Sequence, residues 1–185
     1  QVKKYGGSYA AMCITEPGTG SDSANINTTA VLDGDEWVLN GEKIFVTDGE
    51  RSDTLVVWAT LDKSLGKAAI KSFIVEKGTP GCEVTRLEHK LGIRASDTAS
   101  ISFNDCRIPK DNILGSAEVA TDAEGRKKAF GGVMQTFDNT RPPVAAMAIG
   151  TSRAALDMAR ELLQAEGVEL KFDKKPSNLS AIEAE

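Results

Sequence analysis

Apolar and polar residues fall into two patterns along the chain, and the change comes near residue 114. Before it, short apolar runs recur about every ten residues: Tyr9 to Cys13 (YAAMC), Thr54 to Leu61 (TLVVWATL), Ala69 to Glu76 (AIKSFIVE), Cys82 to Leu87 (CEVTRL) and Thr98 to Phe103 (TASISF). Gly, Pro and Asp punctuate them, as in Thr79-Pro80-Gly81. The segment VLDGDEWVLNGEKIFVT adds two more runs, with Asn40-Gly41 predicting a tight type I′ hairpin turn and Asp33-Gly34 a second turn just before it. Many short strands with no helical stretch between them predict a β-barrel or sandwich. After Gly115 the period changes. Val133, Phe137, Val144, Met147, Ala148, Ala155, Met158, Leu162 and Leu163 recur at three- and four-residue steps, which predicts helix. Pro142-Pro143 is expected to break or kink that helix, because proline has no N–H to donate and crowds the preceding turn. From Gly167 the chain turns polar (Lys171, Lys174, Lys175, Pro176), which reads as a loop before a further helix.

Composition narrows the function. At 41% hydrophobic and 26% charged the 185-residue chain has the makings of a globular fold. A net charge of −5 without a basic stripe argues against nucleic acid or an anionic membrane as the main partner. No run reaches the ~18 apolar residues of a membrane span, and no signal-peptide pattern opens the chain. Cys13, Cys82 and Cys106 form no Cys-x-x-Cys pair, which suits a reducing compartment and speaks against a disulfide framework or a zinc site. The chain opens on Gln, and a strand-like segment follows almost at once, so a piece of a longer polypeptide is expected.

Candidate chemistry concentrates in CITEPGTGSD, residues 13–22. Within eight residues it sets two glycines, a proline, two carboxylates and the hydroxyls of Thr15, Thr19 and Ser21. Glycines let backbone N–H groups converge on a ligand, and hydroxyls both donate and accept. The loop lacks the Lys of a P-loop and the setting of a dinucleotide fingerprint. On residue chemistry alone, a plain turn fits it better than a ligand loop. Thr47, ending the run IFVT, is a second hydroxyl at a strand end. Two such ends close in space would suit a neutral ligand with many acceptors, and a flavin ring is one. His89, the sole histidine, lies between Glu88 and Lys90 and reads as a solvated strand end. The pairs Asp33/Asp35 and Asp48/Glu50 sit in turns, where such side chains commonly bond their own backbone.

CITEPGTGSD, WVLNGEKIFVTDG, FIVEKGTPG, LGIRASDT and FDNTRPPVAAMAIG, in this order and spacing, resemble the acyl-CoA dehydrogenase family from about residue 9 to residue 160. The resemblance implies an α+β chain: a β-barrel middle domain over residues 1–114, then residues 115–185 as the start of a C-terminal helical bundle. It implies FAD as cofactor, with Met12, Ile14, Thr15, Gly20, Ser21, Phe45, Val46 and Thr47 toward the flavin. Ile14 would contribute backbone groups, Phe45 would pack on the ring where the family often has Trp, and Thr47 would bond near N5. Ser21, Asp138, Thr140 and Arg141 would face the acyl-CoA, Arg141 at its nucleotide end. Arg94 to Thr98 (RASDT) would hold a turn beneath the flavin.

The implied reaction is FAD-dependent α,β-dehydrogenation of a fatty acyl-CoA to the trans-2-enoyl-CoA, with electrons passed to an electron-transfer flavoprotein. The thioester oxygen needs hydrogen bonds there, or its α-proton is too weakly acidic for a carboxylate base. That base is a Glu in a region this chain does not match, so no catalytic residue and no metal ligand is assigned, and the isolated chain is expected to be inactive. The family's Arg-x-x-Phe-Gly motif does not follow Leu163, which weighs against a standard homotetramer and leaves homo- or hetero-oligomers, dimeric or tetrameric, open. The expected location is the cytoplasm of a bacterium or the mitochondrial matrix of a eukaryote. Alternatives are a non-catalytic subunit sharing a flavin site in a mixed complex, a flavin monooxygenase or oxidase of the same fold, and a lectin-like barrel with appended helices.

Overall fold

The computed structural model describes residues 9–120, 122 and 131–168. The chain divides into two compact units between Gly132 and Val133. In the first unit the strands are β1 (Ala10–Cys13), β2 (Thr29–Asp33), β3 (Glu36–Thr47), β4 (Thr54–Thr60), β5 (Ile70–Glu76), β6 (Cys82–Leu87), β7 (Thr98–Pro109) and β8 (Ile113–Leu114). They form one sheet in the order β6-β7-β3-β2-β4-β5-β8, with β1 pairing parallel to β4. The β-rich first unit followed by helix agrees with the expected α+β class, and the strand path has two ends, at β6 and β8.

One expected turn is corrected. The Asp33-Gly34 turn does form: Asp33 ends β2 and Gly34-Asp35 make the two-residue connection to β3, with Gly34 at φ 63°. Asn40-Gly41, by contrast, lies inside β3, which runs unbroken for 12 residues. The dipeptide serves a β-bulge rather than a hairpin: register against β7 slips between Leu39 and Gly41, opposite Asp105 at φ 45°. The Asn40 amide donates to the Asp105 carboxylate at 3.1 Å, and its carbonyl oxygen accepts from the Asp105 N–H at 2.8 Å. Glycine is required because Gly41 has φ 151° and a Cβ there would meet Thr28 Oγ1 at 2.5 Å.

The bulges set which side chains face the core. In a strand alternate residues share a face, and one inserted residue reverses the phase. On β3 the buried positions are Trp37, Leu39 and Lys43, with the exposed Gly41 in the same phase. A second slip between Lys43 and Val46, with Phe45 at φ 57°, then puts Val46 inward instead of Phe45. On β7 the inward set Ala99, Ile101 and Phe103 resumes, past the slip at Asp105, as Cys106 and Ile108. These residues pack with Val57, Phe73 and Val75 into one core, where Trp37 and Phe73 meet edge to face at 5.2 Å. The Trp37 indole N–H donates to the Lys110 carbonyl at 3.1 Å, so this buried polar group is satisfied.

In the second unit α1 (Gly131–Ala165) runs through Pro142 and Pro143, so the expected break does not occur. Each proline removes one N–H from the ladder. The carbonyls deprived of it, on Asp138 and Asn139, belong to exposed residues, where water can replace the lost donor. The helix ends in an αL cap at Gly167 (φ 78°): Gly167 N–H donates to Gln164 O and Val168 N–H to Leu163 O. The polar tail expected beyond Gly167 lies, from residue 169 on, outside the described residues.

Candidate functional site

The loop after β1 is built around a buried carboxylate. Glu16 and Thr19 exchange backbone hydrogen bonds, both 3.0 Å, which closes a tight turn over Pro17-Gly18. The Glu16 side chain points inward and accepts from Asn27 N–H, from Thr28 N–H at 2.9 Å and from the Thr28 hydroxyl at 2.6 Å. Its fourth donor is Lys43, whose ammonium lies 2.7 Å from Glu16 Oε1 and 3.2 Å from the Ile14 carbonyl oxygen. The Lys43 side chain is 0% exposed.

Burial alone would raise the Glu16 carboxyl; the hydrogen bonds from Lys43, Thr28 and Asn27 overcome it and hold the group below its ordinary value. Burial also pulls the Lys43 ammonium below its ordinary range, with Glu16 opposing. The ionised pair is the state that fits this geometry, because the carboxylate accepts from four donors and offers none. Cys13 lies in the same buried region, and burial pushes its thiol up to about 12 against the field of Lys43. It is therefore a protonated, inert core thiol.

One further bond joins the loop to the bulge of β3: Ile44 N–H donates to the Thr15 carbonyl at 2.8 Å. The structure thereby joins Thr15, in the loop of residues 13–22 singled out in sequence, to the residue just before Phe45–Thr47. Within these two segments the hydroxyls divide. Thr19 is buried and donates to the Asn25 carbonyl at 2.9 Å, so it is removed from the set of candidate donors. The side-chain hydroxyls of Thr15, Ser21 and Thr47 have no hydrogen-bond partner among the described residues; Ser21 and Thr47 are exposed and Thr15 is half-buried. Phe45, turned out by the bulge, is 59% exposed. Gly20 is exposed, and a Cβ on it would meet nothing within 4 Å. Met12 is half-buried in β1. Ile14 and Val46 are buried, so only their backbones could reach a ligand, and the Ile14 carbonyl already accepts from Lys43.

The hydroxyls of Thr15 and Thr47, without a partner among the described residues, and the exposed Phe45 ring lie on two segments joined by the Ile44–Thr15 bond, a donor set that fits a flat, acceptor-rich ring such as a flavin. The turn after Thr47 is held by residues 95–97. Asp97 accepts from Asp48 N–H through its carbonyl and from Glu50 N–H through its carboxylate, and the Ser96 hydroxyl donates to Asp48 at 3.0 Å. Arg51 adds a bond to the Ala95 carbonyl at 2.8 Å.

Asp138, Thr140 and Arg141 lie on α1 in the second unit and are exposed there. Arg141 pairs with Asp138 at 3.3 Å and stands over the Phe137 ring at 5.6 Å, while the Thr140 hydroxyl donates to the Phe137 carbonyl at 3.3 Å. Among the described residues no group of His, Cys, Asp and Glu could hold a metal, and no helix is long and apolar enough to cross a membrane.

Residue-by-residue reading missed Glu16, Lys43 and Thr28. The signal was present in the alternation. Once Asn40-Gly41 is read as strand, positions 37, 39, 41 and 43 share a face, and a lysine on the core face demands a buried partner.

Residues 11–106 match the family description "Acyl-CoA dehydrogenase, middle domain". The chain is 38% identical over 180 residues to the acryloyl-CoA reductase (NADH) of Anaerotignum propionicum, covering 96% of this chain and 43% of that protein. It is 40% identical over 170 residues to the short-chain specific acyl-CoA dehydrogenase of Clostridium acetobutylicum, covering 89% and 42%. A solved structure described as the electron transferring flavoprotein of Acidaminococcus fermentans superposes with a TM-score of 0.79 at 40% identity, over 96% of this chain and 43% of that one. The chain thus spans less than half the length of these relatives. The middle-domain match over the bulged sheet and its loop settles the lineage: this chain belongs to the acyl-CoA dehydrogenase family.

Proposed function

We propose that residues 1–114 form the flavin-facing domain of an enzyme that dehydrogenates a short-chain acyl-CoA thioester at its α,β bond, and that residues 115–185 begin its helical domain. FAD is the cofactor of this family, and when bound it supplies the two-electron acceptor. The observation that carries the reading is the placement of the hydroxyls of Thr15 and Thr47, which have no partner among the described residues, and of exposed Phe45, on two segments joined by the Ile44–Thr15 hydrogen bond.

Each residue then has a role. Thr15 and Ser21 donate to ring acceptors, and Ser21 also approaches the thioester. Phe45 covers a ring face and keeps water from it. Thr47 donates where electron density grows during reaction, so its hydrogen bond strengthens toward the transition state. Arg141 offers a planar guanidinium to the adenine, ribose or phosphate of CoA, and Asp138 orients it. The short-chain substrate is supported by the Clostridium relative, and an electron-transfer flavoprotein as electron acceptor by the Acidaminococcus structure. Homo- or hetero-oligomeric assembly, and residence in a bacterial cytoplasm or a mitochondrial matrix, complete the proposal.

The test is anaerobic mixing of the full-length protein, loaded with FAD, with butyryl-CoA. Bleaching of the flavin absorbance and formation of the enoyl thioester are expected. A full-length protein that takes up no FAD, or whose flavin is not reduced by any acyl-CoA, overturns the reading. The 38% identity to a reductase named for acryloyl-CoA favours a second reading. In that reading the same groups serve the reverse direction, saturating an enoyl thioester, and flavin reduced by NADH and reoxidised by acryloyl-CoA would establish it.

A further inference from the structure

We infer that Glu16 and Lys43 are positioning residues for the flavin, a buried ion pair that fixes the Thr15–Ser21 loop against the Phe45–Thr47 strand end; this rests on the flavin reading above. Lys43 occupies an inward position of β3 where its neighbours in phase are Trp37, Leu39, Gly41 and, past the bulge, Val46. A charge there is unfavourable unless it is paired and fully hydrogen-bonded, and an apolar residue of similar volume is often as stabilising or more so. Stability alone therefore does not account for the pair. What it adds is direction.

The Lys43 ammonium donates to the Ile14 carbonyl and to the Glu16 carboxylate, the two neighbours of Thr15. Thr15's own carbonyl accepts from Ile44, the residue after Lys43. Thr15 is thus held on both sides and through its own carbonyl, yet its hydroxyl has no partner among the described residues. From the other direction Glu16 is fixed by Asn27 and Thr28, so the loop cannot tilt about Lys43. On β3, the bulge that exposes Phe45 begins immediately after Lys43. Any slip of the loop along β3 breaks the ion pair and the Ile44–Thr15 bond together. Groups that must meet one ring from two segments need placement to within about 0.5 Å, and this pair supplies it without touching the ring.

The experiment uses the full-length protein in four forms: wild type, Lys43→Met, the double variant Glu16→Gln/Lys43→Met, and Ile108→Ala. The last truncates a core residue away from the loop and serves as a control of comparable thermal destabilisation. FAD affinity is measured by titration of the apoprotein, and the absorption spectrum and reduction potential are measured on the flavin that remains bound. The double variant leaves no unpaired buried charge, so it carries the test where Lys43→Met alone does not fold.

Both pair variants are expected to bind FAD at least tenfold more weakly, with a displaced visible absorption band and an altered potential, while Ile108→Ala keeps the wild-type affinity, band and potential. A double variant that folds and matches wild type in all three overturns the inference. So does an Ile108→Ala protein that shifts the flavin as the pair variants do. A wild-type protein that takes up no FAD overturns the flavin reading, and the inference with it.

Discussion

Gly41 and Thr28 stand in such close approach that a methyl group on the glycine would meet Thr28 Oγ1 at 2.5 Å and its Cα at 2.7 Å. The contact matters beyond packing, because the Thr28 hydroxyl and N–H both hold Glu16. A bulge on the β3/β7 ladder, a glycine without a Cβ, a threonine and a buried carboxylate are therefore linked in series, ending at Lys43 and the loop.

Gly41→Ala is expected to destabilise the protein by about 2–4 kcal/mol. Overpacking costs roughly 1–3 kcal/mol, and a backbone angle reserved almost entirely for glycine adds of order 1 or more. Thr28 backbone cannot retreat without releasing Glu16, so relaxation is blocked. Equilibrium urea unfolding measures the loss. A midpoint within error of wild type would mean that β3 is not held against Thr28 as described.

The pattern of short apolar runs was enough to locate most of the sheet: β4 and β5 are runs of mostly buried side chains that sequence displays directly, while β6, exposed apart from half-buried Cys82, was marked by its β-prone residues between turn signals. The Gly34 turn was legible for the same reason: a two-residue connection between paired strands has few chemical solutions. Asn40-Gly41 misled because the same dipeptide suits a bulge, and only the partner strand, through Asp105, decides between them. Lys43 was hidden behind that misreading. With a turn at residue 41, the lysine falls on a fresh strand of unknown phase; with strand through residue 41, it faces the core. Pro142-Pro143 did not break the helix, because both deprived carbonyls are on exposed residues, so the helix loses two hydrogen bonds but buries no unsatisfied group. In the site, Thr15, Ser21 and Thr47 could be nominated from residue type, but Thr19 could be set aside only once its bond to Asn25 was seen.

The Glu16 carboxyl gives the fold an acid-sensitive element with a definite sign. Its folded value lies below the ordinary 4.5. Above pH 4.5 the group is ionised in both folded and unfolded chains, and its contribution is fully present. As pH falls below 4.5 the unfolded chain takes up the proton first, and the contribution is lost progressively until the folded value is passed. Urea midpoints measured from pH 7 down to pH 3 should therefore fall more steeply for wild type than for Glu16→Gln. Parallel curves would show that Glu16 is not held ionised by Lys43.

Arg141→Ala tests the assignment on α1. The Arg141–Asp138 pair is exposed on both sides, at 70% and 72%, so its loss should leave stability unchanged within about 0.5 kcal/mol. In the full-length enzyme the same substitution should raise KM for the acyl-CoA and leave kcat and flavin content nearly as they were, the mark of binding shared equally by ground and transition states. A variant that loses flavin with unchanged KM would place Arg141 at the cofactor instead.

Thr47→Val separates holding the flavin from tuning it. Valine keeps the shape and removes a hydroxyl that has no partner among the described residues, so nothing within the fold is left unsatisfied. One neutral hydrogen bond contributes about 0.5–1.5 kcal/mol net, too little to govern retention of a cofactor with many contacts, and the full-length variant should stay yellow. The same donor is worth more to the reaction, because a fixed dipole aimed at growing charge costs no reorganisation when the charge arrives. Flavin reduction by acyl-CoA should slow by roughly one to two powers of ten, short of the loss for a strong oxyanion donor. Stopped-flow bleaching reads that step directly. A wild-type bleaching rate with bound FAD would remove Thr47 from the site, and a colourless variant would make it a residue that binds the cofactor rather than one that tunes it.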